Sequence, residues 1–332
     1  MILFNIRILC LVFICFSISY VKQSNNNISG NHQCYIPVID GSWWQVAGNP
    51  DLGELSSKEQ QPVDFGIWQS GDGKWQIWSC IRKTKEYGHT RLFFRWEGDS
   101  INQTNWKSMG ISMRGDTTLG EAKGGMQAPY VIPFNKKFLM FYGDWNRICL
   151  ARSEDGKTFE RNLRNGSPAL FGDLNETNTR DPMVMMVDDQ WYCYYTAHPN
   201  NEGAIYVRKS PNLYDWGPSV KVSYGGSPGK GKLWLAECPH VVQYLGKYYL
   251  FRTYSYGIYE NGKQISEPKT NIYCSTNPEN FGIDTDSLLI GELPVAAPEI
   301  IHHGNQWYIA ALLPDLQGIR LAKLNWILKN NQ

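Results

Sequence analysis

Four stretches decide the fold: QAPYVIPFNKKFLMFYG from Gln127, RDPMVMMVDDQWYCYYT from Arg180, ECPHVVQYLGKYYLFRT from Glu237 and AAPEIIHHGNQWYIAAL from Ala296. Each reads as a β-hairpin, with an apolar run, a reversal rich in Gly, Asn or Asp, and an aromatic second run. In all four the proline stands nine residues before the first aromatic of the second run, from Pro129 to Phe138, Pro182 to Trp191, Pro239 to Tyr248 and Pro298 to Trp307. A weaker copy, PVDFGIWQSGDGKWQIWSC from Pro62, has a turn at Ser70-Gly71-Asp72-Gly73 that is one residue longer. Allowing for that residue, Asp64 falls level with Asp181 and Phe65 replaces the proline.

A third strand follows in most copies, with the signatures RLFFRWE from Arg91, ICLARSEDGKTF from Ile148, AIYVRKSPNLYDW from Ala204, NIYCSTNPENF from Asn271 and IRLAKLNW from Ile319. The trailing aromatics Phe159, Trp216 and Phe281 are expected to cover blade edges. Five such units, with little helical periodicity between them, predict an all-β, five-bladed β-propeller of antiparallel blades around a central cavity, because each small sheet buries its faces against its neighbours. The expected organisation is a signal peptide at 1–20, a flexible mature N-terminus at 21–34 and a single propeller over 35–332. Residues Cys34 to Trp44 are expected to close the last blade. The loop from Gly225 to Gly231 lacks the strand-to-helix context of a phosphate cradle.

Composition sets the outer bounds. The 332 residues are 42% hydrophobic and 14% aromatic, enough for a substantial core, and the formal net charge of +1 provides no global field for nucleic acid or an anionic membrane. The apolar run from Ile8 to Ser19 follows Arg7 and is too short to span a bilayer comfortably, which fits a secretory leader. Secretion or periplasmic export is therefore expected, with an N-terminal membrane anchor as the alternative and no stable transmembrane domain. Without the leader, Cys34, Cys80, Cys149, Cys193, Cys238 and Cys274 remain, scattered and without a CxxC pair, so buried thiols are weighed equally with bridges. Asn27, Asn102, Asn165 and Asn175 each begin a glycosylation sequon.

Differences between the repeats point to chemistry. The residue before the proline is Ala128, Asp181, Cys238 or Ala297, with Asp64 at the comparable place in the first copy; one position earlier stand Gln127, Arg180, Glu237 and Ala296. Radial symmetry would carry these inner-strand starts to one axis. Asp64, Asp181 and Glu237 would then converge beside Arg180. Unpaired buried carboxylates are costly, and a substrate pocket gives them a purpose.

With these motifs the chain resembles the five-bladed glycoside hydrolases, both the arabinanase and β-xylosidase family (family 43) and the invertase and levansucrase families (families 32 and 68). Arg180-Asp181-Pro182 is similar to the invertase-type Arg-Asp-Pro motif and Glu237-Cys238 to its Glu-Cys motif, while the order Asp64, Asp181, Glu237 is similar to that of the arabinanase-like acids. The resemblance implies Asp64 as general base or nucleophile, Glu237 as general acid, and Asp181 as the group that fixes substrate and tunes the acid. Arg180 would bind a sugar hydroxyl or position the acids. The chain departs from the pattern at the first acid, where the invertase Asn-Asp-Pro-Asn-Gly sequence is absent and Phe65 interrupts Asp-Pro. Asp51, in a turn-rich segment, is the rival for that role.

Further substrate contacts are expected from Trp44, Gln127, Asp144, Trp145, His198, His240 and Arg252, with Trp43 as another stacking ring. Connections around Trp44, Trp106 and Lys230 would close a pocket suited to terminal sugars. The implied activity is hydrolysis of O-glycosidic bonds in oligo- or polysaccharides by paired carboxylates. Alternatives are a non-catalytic carbohydrate-binding propeller and a glycosyltransferring enzyme. No cofactor and no metal site is expected, an axial calcium or other ion being the alternative; His302 and His303 match no metal-ligand spacing. Inversion and retention both stay open.

Overall fold

A computed structural model describes residues 33–172 and 178–329. The predicted leader, the rest of the N-terminal segment to residue 32, and the acceptor residues Asn27 and Asn175 lie outside the described residues.

Five antiparallel sheets follow one another along the chain. Blade I comprises Gln61–Gln69, Trp75–Arg82, Leu92–Gly98 and Lys107–Met113. Blade II is built on Gln127–Phe134, Lys137–Gly143 and Ile148–Ser153, with the short strands Glu160–Arg161 and Ala169–Phe171 outside them. Blade III contains Arg180–Val187, Gln190–Ala197, Ala204–Ser210 and Val220–Ser223. Blade IV contains Glu237–Tyr244, Lys247–Ser255, Lys269–Ser275 and Leu289–Leu293, and it carries an inserted hairpin of Ile258–Glu260 and Lys263–Ser266. Blade V combines Glu299–His303, Gln306–Leu312 and Gly318–Leu328 with the N-terminal strand Tyr35–Gly48, which pairs antiparallel with Gly318–Leu328. The closing strand expected from Cys34 to Trp44 thus forms and runs four residues further.

The proline register has a backbone cause. Asp64, Ala128, Asp181, Cys238 and Ala297 all adopt left-handed conformations, with φ of 37, 38, 55, 49 and 47°. In the first four blades the inner ladder shifts register at this point, between Val63 and Phe65, Gln127 and Tyr130, Arg180 and Met183, and Glu237 and His240. Each of these four inner strands therefore carries a bulge near its start, which re-aims one side chain, and proline fits there because no ladder donor is required of it. Phe65 occupies the equivalent position in blade I. Close packing at the axis leaves little room: a Cβ on Gly66 would lie 2.3 Å from the Pro129 carbonyl oxygen of blade II.

Aromatic rings fill the gaps between blades. Phe159 of blade II packs edge-on against Trp78 of blade I at 5.3 Å between centroids, Trp216 of blade III against Phe141 of blade II at 6.1 Å, and Phe281 of blade IV against Tyr194 of blade III at 6.3 Å. These three rings, expected at blade edges, seal their blades to the ones before them. Burying one such ring contributes about 1.5–3 kcal/mol. The core is correspondingly divided into clusters that bridge neighbouring blades.

Cys34 and Cys274 form a disulfide with a Cα–Cα distance of 6.4 Å. It ties the start of the closing strand to the third strand of blade IV. Cys80, Cys149 and Cys193 are buried thiols and Cys238 is a half-buried one, so both readings of the cysteines apply, to different residues. Among the described residues no helix is long and apolar enough to cross a membrane.

Candidate active site

The five left-handed residues line one cavity, Asp64, Ala128, Asp181, Cys238 and Ala297 each contributing from a different blade, together with Phe65, Pro129, Pro182, Pro239 and Glu299. One residue per blade at one cavity is the axial convergence expected from the repeats. Asp64, Asp181 and Glu237 are all buried, as is Arg180.

Arg180 organises the acids. Its Nη2 donates to Glu237 Oε1, and its Nε lies 3.5 Å from Asp181 Oδ2. The Cys238 backbone N–H donates to the same Asp181 oxygen at 3.2 Å. Asp64 is held from a different side. Its Oδ1 accepts from the Cys238 thiol at 3.4 Å and from the Tyr256 hydroxyl at 3.2 Å, and its Oδ2 lies 3.9 Å from Arg91 Nη1.

Burial pushes the Asp181 carboxyl up to about 7; the negative charges of Asp64 and Glu237 add to the shift, and Arg180 opposes it. Burial pushes His198 down to about 3, with Arg180 acting in the same direction, so this imidazole is neutral beside the guanidinium. Asp64, Asp181 and Cys238 also bring two oxygens and a sulfur within 4.8 Å of one another. The charges of Arg180 and Arg91 and the burial that keeps the Cys238 thiol protonated oppose cation binding by this donor set.

The other sequence-selected residues are distributed around this centre. Gln127 is fully buried and donates to Asn178 at 3.2 Å. Asp144 is consumed by its own turn, accepting from the Asn146 and Arg147 backbone N–H groups and from the Arg147 guanidinium at 2.6 Å. Arg252 is also committed, its guanidinium spread over the Leu235 and Gly225 carbonyls, Ser223 and Tyr273. His240 faces blade V, accepting from the Ile300 N–H at 3.3 Å and lying 3.3 Å from Glu299. Trp44 donates to the Ile101 carbonyl and meets Tyr308 edge-on, and Trp43 lies under Arg320; both belong to the closing strand. Trp106 is buried, and Lys230 pairs with Asp284 at 2.8 Å. Asp51 is exposed and caps its own turn by accepting from the Gly53 N–H and the Ser56 hydroxyl. His302 stacks on Trp307, and His303 meets Trp75 edge-on.

Tyr256 and Arg91 escaped the sequence reading. Both sit on connections after the second strand of a blade, where the inner-strand repeat has no counterpart. Their signals were faint: Tyr256 lies just beyond the blade IV hairpin, and Arg91 immediately precedes the third strand of blade I.

The five-bladed propeller thus carries Asp64 and Asp181 at its axial cavity, with Glu237 held beside them by Arg180. Residues 95–331 match the glycosyl hydrolases family 32 N-terminal domain, and the chain belongs to that family. The matched span includes Asp181 and Glu237 and begins after Asp64. Among solved structures, the chain is similar to a thermostable family-43 glycoside hydrolase, with a TM-score of 0.56 and 17% identity over 83% of this chain and 92% of that one. It is similar to an endo-1,4-β-xylanase from Bacteroides thetaiotaomicron, with a TM-score of 0.58 and 17% identity over 83% and 97% of the two chains. Similarity to a Bombyx mori family-32 β-fructofuranosidase has a TM-score of 0.57 and 17% identity, covering 89% of this chain but 62% of the silkworm protein. No curated protein matches the chain in sequence.

Proposed function

We propose that this protein hydrolyses O-glycosidic bonds in oligo- or polysaccharides, removing terminal sugars at the axial mouth. The observation that carries the reading is the placement of Asp64 and Asp181 at equivalent left-handed bulges, with Glu237 bound to Arg180 beside Asp181. Glycosidic cleavage needs a proton for the leaving oxygen and a carboxylate at the anomeric centre or on a water. Glu237 supplies the proton and Asp64 acts as nucleophile or base. In the ligand-free site Glu237 is engaged by Arg180, while burial favours a proton on neighbouring Asp181. Substrate entry exchanges these partners: Arg180 turns to Asp181 and a sugar hydroxyl, and the proton passes to Glu237.

Glu237→Gln tests the assignment. The variant is expected to fold and bind glycan while losing turnover by about 10²–10⁴-fold, with a smaller loss on glycosides whose leaving group needs no proton. Unchanged turnover would overturn it. Product anomer, followed directly, assigns inversion or retention, and a competing sugar acceptor distinguishes hydrolysis from transfer.

The proposed location is outside the cytosol. The Cys34–Cys274 disulfide supports this, since such bonds persist in oxidising compartments, and so does the apolar run preceded by Arg7. N-terminal sequencing of the protein recovered from its source checks the processing: a start between residues 20 and 34 is expected.

A further inference from the structure

Beside Asp64 the structure builds a second feature that hydrolysis alone does not require. Segments 83–91, 122–126 and 144–147 are locked together. The His89 N–H donates to the Lys123 carbonyl at 3.0 Å, the Arg91 N–H to the Gly124 carbonyl at 2.9 Å, and the Thr84 N–H to the Thr90 carbonyl at 3.1 Å. Gly124, at φ +63°, lets the first two segments pass; a Cβ there would lie 2.6 Å from the Tyr87 carbonyl oxygen. Two residues that disfavour left-handed backbone adopt it here, Thr90 at φ 64° and Trp145 at φ 86°. Such conformations persist where the surroundings over-determine them, and they concentrate at functional sites.

What this framework holds is a stack. The His89 ring lies nearly parallel to Trp145, 3.9 Å between centroids with an interplanar angle of 12°, and the Arg91 guanidinium carbon is 5.1 Å from the Trp145 centroid. Burial and the charge of Arg91 both lower the pKa of His89, leaving Arg91 as the cation of the stack. Its Nη1 contacts, Asp64 Oδ2 and Cys80 Sγ, are each 3.9 Å away, too far for a strong hydrogen bond. Among the described residues, Arg91 Nε and Nη2 have no acceptor. Nearby acids are already taken: Glu86 by Arg114 at 2.6 Å, Glu121 by Arg161 at 2.8 Å and Asp144 by Arg147 at 2.6 Å.

We propose that Arg91 is a specificity residue that receives a carboxylate or sulfate on the sugar bound next to Asp64, so that the substrate is an anionic glycan. A guanidinium fork suits both oxyanions, and the Trp145 face fixes its plane. This rests on the hydrolase reading, whose failure the experiment separates from its own. The protein carrying Glu237→Gln is titrated calorimetrically with oligogalacturonides, with sulfated galactan oligosaccharides and with the neutral galactan oligosaccharides left after desulfation. One anionic series is expected to bind about 10- to 100-fold more tightly than the neutral one, the uronate and sulfate arms telling the two sources apart. Adding Arg91→Ala removes that advantage, and adding Arg91→Lys restores part of it. Equal affinity for neutral and anionic sugars overturns the proposal. So does an Arg91→Ala loss of the same size on both, which makes Arg91 a positioning group for Asp64. Anionic binding that depends on Arg91 without cleavage by the native protein overturns only the hydrolase reading.

Discussion

Asp64 and Asp51 compete in sequence for one role, and their surroundings now separate them. Asp64 is buried between Tyr256, Cys238 and Arg91, whereas Asp51 is exposed and serves its own turn. Asp64→Asn is therefore expected to lower turnover by about 10²–10⁴-fold. Asp51→Asn leaves it unchanged, a contrast that steady-state kinetics on one substrate would read. Asp181 makes a different prediction. Its folded-state pKa is raised to about 7 from 3.8, so between those values the folded protein holds a proton that the unfolded chain has lost. Stability from this group is present at low pH and falls as pH rises towards 7. Thermal unfolding followed across that window should show the fall in the native protein and a flatter profile in Asp181→Asn. An identical slope in both would remove Asp181 as its source.

At the scale of elements, the left-handed start of each inner strand determines both structure and site. Alanine there tolerates the conformation at modest cost, whereas a β-branched residue does not. Ala297→Val is expected to lower stability by about 1–2 kcal/mol while Ala297→Gly is tolerated, as chemical denaturation would show. This element was legible in sequence because the bulge imposes a proline, and the proline keeps its distance to the next aromatic whatever fills the turn. Asp64 was found through that register although Phe65 had replaced the proline. The connections obey no such rule. The hairpin from Ile258 to Ser266, Tyr256 beside it, and the stack of His89, Trp145 and Arg91 depend on which loops meet in space, and no spacing along the chain records that. For the same reason Asp144 and Arg252 looked like substrate contacts in sequence, but their donors and acceptors are spent inside the protein. The Phe159, Trp216 and Phe281 rings were recognised as structural, while their partners in the preceding blade were not.

For the whole molecule, the consequential event is closure of the ring. The first strand of the propeller pairs with the last, so blade V exists only when both ends of the chain meet. Cys34 and Cys274, 240 residues apart, bind that strand to blade IV as well. A cross-link over so long a loop restricts the unfolded chain strongly, and its removal is expected to cost about 2–4 kcal/mol. Neither cysteine lines the axial cavity, so the axial carboxylates keep their places once the ring is closed. Cys274→Ser should accordingly lower the unfolding temperature and the denaturant midpoint while leaving kcat at 25 °C near that of the native protein. A reductant should reproduce the shift in the native protein and add nothing to the variant. Loss of kcat at a temperature where Cys274→Ser is fully folded would instead show that the closing strand sets the geometry of the axial mouth, and not merely its persistence.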